Sequence, residues 1–150
     1  KTVVRVFRKE TSIFATWKVD DAYTINKCID HDVTNWKLDK LCWKEDTKIL
    51  LTTSNLIGYY KANFDKISAN YIFLSGRGTS IPWISLIDFS HFARTCNFMD
   101  NNLQTSTIDR FFIAANVHKR GAAHGDNPDK SLARFEFFEL LVRIAHEKFI

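Results

Sequence analysis

The residues that could carry chemistry are scattered, and their spacing argues against most of it. His91, His118 and Cys96 supply a base and a nucleophile, but no glycine-flanked elbow or triad order accompanies them. His118 and His124 stand near Asp126 in a glycine-rich stretch. A metal site would want helical or hairpin spacing and a further Cys or His, so these read as a solvated loop. Asp88, Asp109 and Glu136 each fall where a helical pattern begins. There a carboxylate complements the helix macrodipole, so they read as caps and not as paired catalytic acids. Asp30, Asp32 and Thr34 alternate like oxygen ligands, but Lys37 and Leu41 spoil the positions that should follow, and solvated turn acids are the expectation. Cys28, Cys42 and Cys96 have no CxxC spacing and read as reduced, buried small hydrophobes in a reducing, cytoplasmic compartment. No glycine-rich phosphate loop is present. The expectation is a protein that is not an enzyme, with no catalytic residue, no bound metal and no cofactor.

The elements that must position these residues follow from apolar spacing. One helix spans 56–74, with Tyr60, Phe64, Ile67, Tyr71 and Leu74 at steps of three and four. A second follows Ser85, which stands three residues before Asp88 as in a capping box. A third follows Ser106, with Asp109 in the same relation, and carries Ile108, Phe111, Phe112 and Ala115. A fourth spans 134–149 and is apolar on two stripes. Phe135, Phe138, Leu141, Val142 and Ala145 form the stripe expected in the core; Phe137, Leu140 and Ile144 form the stripe expected to meet a partner. In the first third, 12–29 reads as a helix and KTVVRVF as an extended arm. NWKLDKLCWK reads as irregular chain wrapping the helices, with Trp36 and Trp43 exposed and available to a partner.

Helix, glycine-containing loop, short apolar stretch and helix occur in that order twice, in GRGTSIPWISLIDFSHF and GAAHGDNPDKSLARFEFFELL. This is the skeleton of an EF-hand pair, in which one apolar residue from each loop joins a two-stranded ribbon and an acid closes each loop. With Ile84 as the ribbon residue, Arg77 takes the first ligand position, Thr79 and Ile81 the next two, Pro82 the turn, and Asp88 the closing place. A cation there repels calcium, and Ile81 has no side-chain oxygen. With Leu132 as the ribbon residue, Gly125, Asn127 and Asp129 take the ligand positions, Lys130 the turn, and Glu136 the closing place. Neither loop supplies the usual oxygens. The fold class expected is therefore mainly α: a degenerate EF-hand-like pair with a short β ribbon at 56–150, preceded by an arm and helix at 1–55.

NPDKSLARFEFFELLVRIAHEKF and YYKANFDKISANYIFLSGRG also resemble the degenerate EF-hand-like domains of ciliary and flagellar axonemal proteins, over about 56–150. The resemblance implies a structural, non-catalytic protein–protein interaction module in a cytoskeletal or ciliary assembly, with tubulin or axonemal components as partners. An apolar cleft in such a pair holds a partner's amphipathic helix or is filled by the chain's own N-terminal arm. The rival readings are a calcium-regulated adaptor and, more weakly, a nucleic-acid-binding module. The latter rests on a formal net charge of +4 and a 14% aromatic share. Basic residues are spread along the chain, and no apolar run is long enough to span a bilayer. KTVVRVFRKE lacks the long apolar region of a secretory signal. A first residue other than Met and a last residue inside a helical pattern lead us to expect a piece of a longer polypeptide.

Overall fold

The computed structural model of the chain describes residues 8–11, 15, 22–38, 53–117 and 130–149. These residues are mainly helical: α1 (Ala22–Asn35), α2 (Thr53–Arg77), α3 (Leu86–Thr95), α4 (Thr105–Asn116) and α5 (Arg134–Phe149). The only strands among them are β1 (Ile84–Ser85) and β2 (Ser131–Leu132), paired antiparallel. Ile84 faces Leu132 across the ribbon, as the loop reading expects, and both are fully buried. Thus α2, β1 and α3 make one helix–loop–strand–helix unit, α4, β2 and α5 make another, and the ribbon joins them. No helix among the described residues is long and apolar enough to cross a membrane.

Local signals set most of the boundaries. Ser85 caps α3: its Oγ accepts the Asp88 N–H at 3.2 Å and donates to Asp88 Oδ2 at 2.6 Å. At the other end Asn97 takes φ 52°, a left-handed conformation that Asn tolerates. It closes a Schellman motif in which Asn97 N–H reaches Arg94 O and Phe98 N–H reaches Ala93 O. Phe98 then packs edge-on against Phe92, 5.5 Å between centroids, as that motif favours. Cys96, expected inside, is the exposed C-cap residue of α3, one step beyond the turn that faces the core.

Several boundaries differ from the sequence reading, and α2 runs three residues beyond the expected 56–74 at each end. α4 starts at Thr105 behind Gln104, which makes no side-chain cap, so Ser106 is not the cap and Asp109 lies beyond the first turn. Asp100 decides this start by folding the linker: its Oδ1 accepts the N–H groups of Asn102 and Leu103, and Leu103 is driven fully inside. In the first third, the described helix is Ala22–Asn35, later than the 12–29 expected. Asp30, Asp32 and Thr34 are therefore helical, and Asp32 is buried, not a solvated turn acid.

The core is aromatic and is organised by α5. Phe137 packs with Phe89, Phe92 and Tyr71, whereas its neighbour Phe138 packs with Tyr60 and stacks on Trp36 at 5.3 Å. Adjacent residues on a helix point about 100° apart, so α5 serves two aromatic clusters because it lies between them. Trp36 and Leu38, which follow α1, are both buried in this core. Lys37 between them donates its Nζ to the carbonyls of Ala115 (2.6 Å) and Val117, which places a cation at the negative end of α4.

Candidate interaction site

Three features could carry function: a buried ion-pair network, the two loop-closing acids, and an apolar groove. The network links α1, α2 and α5. Arg134 holds Asp32 side-on with one edge of its guanidinium, donating Nε to Oδ2 at 2.6 Å and Nη2 to Oδ1 at 3.1 Å. Tyr60 donates its hydroxyl to the same carboxylate, and Arg134 lies over the Phe64 ring at 5.1 Å. Burial alone would loosen the Arg134 proton, but the Asp32 hydrogen bonds and charge outweigh it and raise its pKa. These groups satisfy one another inside the fold. No residue of the network lines the groove described below, so its geometry is that of a clamp between helices.

Tyrosine burial makes the fold sensitive to alkali. Burial pushes Tyr71 up to about 12, where its hydroxyl bridges the carbonyls of Pro82 (2.8 Å) and Leu132 (3.1 Å). Burial, and then the negative charge of Asp32, raises Tyr60. The unfolded chain gives up these protons near pH 10 and the native chain only above that. The contribution is therefore intact below about pH 10 and falls as pH rises through 10 to 12. Urea midpoints should drop across that window, and Tyr71→Phe should flatten the drop. Unchanged slopes in Tyr71→Phe and Tyr60→Phe would show that these hydroxyls do not control it.

Asp88 and Glu136, the acids expected to close the two loops, are used by their own helices. Glu136, fully buried, accepts the Ala133 N–H at 2.9 Å and lies 3.4 Å from the Asn116 side-chain amide, which also donates to Ser131 O. Asp88 is engaged by Ser85, and the loop backbone sits against it: a Cβ on Gly78 would fall 2.8 Å from Asp88 Cγ. Arg77 is exposed and stacks over Phe73 at 5.0 Å, and Thr79 is exposed. No cluster of three or more metal-ligating side chains occurs among the described residues.

The groove lies where the first turns of α2 meet the last turns of α5, with a volume of about 440 Å³. Leu56, Ile67, Phe138 and Val142 form its floor, and Leu141 and Ala145 one wall. The rim carries Tyr59 and Phe149, 61% and 76% exposed. Its lining offers no carboxylate, cysteine or lysine, so what it can do is take up apolar surface. No family model, no curated protein and no solved structure matches the chain.

The structure buries both stripes of α5 in large part. Phe137, Leu140 and Ile144, expected to meet a partner, are 0%, 0% and 4% exposed, and side chains so enclosed offer no surface. Trp36, expected outside, is 5% exposed beneath Tyr60 and Phe138. The stripe expected in the core is buried at Phe138 and Val142, which floor the groove, while Leu141 and Ala145 are partly or fully open. Trp43, Gly125, Asp129, His118 and His124 lie outside the described residues. Sequence reasoning missed Asp32 and Arg134, although Ile25, Ile29, Asp32 and Trp36 recur at helical spacing and mark the inward face of α1.

Proposed function

We propose that the chain is a non-catalytic protein–protein interaction module whose α2–α5 groove accepts the apolar face of a partner helix, without calcium control. The observation that carries this is the groove: an open, apolar trough between two helices, bordered by an exposed tyrosine and an exposed phenylalanine. The helix–loop–strand–helix order and the Ile84–Leu132 register support reading the two units as a degenerate EF-hand-like pair. A cation at Arg77, and carboxylates at Asp88 and Glu136 that serve their own helices, support a module that is permanently set and not calcium-gated. The setting, a cytoskeletal or ciliary assembly with tubulin or axonemal proteins as partners, rests on the sequence resemblance alone.

Co-sedimentation with microtubules, in chelator and in calcium, tests this reading. The chain should pellet equally in both. Leu141→Asp combined with Ala145→Asp should weaken pelleting about 10-fold or more, as loss of interface anchors does. Because Leu141 is half-buried and Ala145 exposed, the same pair should lower stability by only about 1 kcal/mol. A variant that unfolds instead would mean the groove is already filled by this chain and is not a docking site.

A further inference from the structure

A second hollow, also about 440 Å³, opens where the last turns of α2 meet α3. No residue lines both it and the α2–α5 groove. Its apolar surface comes from Phe73, Leu74, Ile87 and Phe92, and its polar edge from Arg77, Asp88 and His91. Exposed apolar side chains gather at this end of the molecule. Of the nine large hydrophobics exposed among the described residues, Ile72, Phe73, Ile81 and Ile87 fall within 72–87, and Ile87 is the most exposed at 81%. Single exposed hydrophobics need no explanation, but Phe73 and Ile87 lining one hollow form a patch, and patches rimmed by polar groups mark interaction sites.

Among the residues that line the hollow, Arg77 is the one cation and Asp88 the one carboxylate. The Asp88 carboxylate is also engaged, accepting from Ser85 Oγ at 2.6 Å with the Gly78 backbone against it. What it presents to a visitor is therefore less than a free carboxylate. Arg77 is exposed, and its stacking on Phe73 holds the guanidinium beside the apolar floor. A guanidinium so placed can fork onto a carboxylate while an apolar group fills the hollow next to it.

We infer that this hollow docks an acidic segment of a partner protein that carries one large apolar side chain. The apolar side chain rests on Phe73, Leu74, Ile87 and Phe92, and a flanking carboxylate meets Arg77. Arg94, exposed in the last turn of α3, adds to the attraction. A nucleic acid fits less well, because backbone tracking wants several cations in a row, whereas here a single arginine sits in an apolar surround.

Fluorescence anisotropy with a short labelled peptide, one phenylalanine flanked on both sides by glutamates, tests the inference on the whole chain. The peptide should bind, and binding should weaken as sodium chloride rises. Arg77→Glu and Ile87→Asp should each weaken it about 10-fold or more. Both positions are exposed, so the variants should keep the wild-type melting temperature. Leu141→Asp should leave this binding unchanged, which separates the site from the α2–α5 groove. The inference is overturned if the wild-type chain does not bind or if a lysine-flanked peptide binds as well. It is also overturned if a single-stranded oligonucleotide competes as strongly as the peptide itself. Loss with Leu141→Asp but not with Arg77→Glu would place the peptide in the groove, contradicting this site while supporting that one.

Discussion

Asp32→Ala should destabilise the fold by about 3–5 kcal/mol, the cost of leaving a buried charge without its partner. That is a large share of the roughly 5–15 kcal/mol that holds a domain of this kind together. Asp32 is 1% exposed and accepts two hydrogen bonds from one edge of the Arg134 guanidinium together with that of the Tyr60 hydroxyl. Removing the carboxylate leaves a cation against Phe64 and a phenol in an aromatic cluster, each stripped of its acceptor. Arg134 keeps 24% of its side-chain surface, so water relieves part of the loss and the lower half of the range is the better expectation. Asp32→Ala with Arg134→Met should recover most of the stability, because an apolar pair has no unpaired charge to bury. Chemical denaturation of both variants checks this. A double variant no better than Asp32→Ala would mean that Arg134 is not what the missing carboxylate leaves stranded.

Phe137→Ala should cost about 3–5 kcal/mol, while Phe149→Ala, on the same helix, should change stability by about 0.5 kcal/mol or less. Phe137 is fully enclosed between Phe89, Phe92 and Tyr71, so its removal forfeits transfer energy and leaves a cavity walled by rigid rings. Phe149 is 76% exposed at the groove rim. Thermal melts of the two variants measure the contrast. Equal losses would mean that the rim is buried and that the groove is no open surface.

Much of the architecture could be read from residue spacing. Tyr60, Phe64, Ile67, Tyr71 and Leu74 trace the inner face of α2 because a long helix on a core must repeat at three and four. The ribbon was legible at Ile84 and Leu132 because a short apolar stretch between a glycine-bearing loop and a cap has few other uses. What spacing could not decide is how much of α5 faces in. Both stripes are apolar, and burial of the second depends on where Phe89 and Phe92 lie, a tertiary fact. The same limit hid Asp32. An acid on a helix is normally solvated, and only Arg134, 102 residues away, makes it an interior residue. Trp36 was misplaced because tryptophans in an irregular segment look exposed until Phe138 and Tyr60 supply rings to pack on.

A permanently open apolar groove should bind an amphipathic helix whether or not calcium is present. Two-dimensional NMR of the labelled chain measures this, with a neutral synthetic amphipathic helix bearing leucines on one face as the titrant. The titration is run once in chelator and once in calcium. Shifts should concentrate at Leu56, Tyr59, Leu141, Val142 and Ala145 and be the same in both conditions. Shifts that appear only with calcium, or none at these residues in either condition, would contradict it.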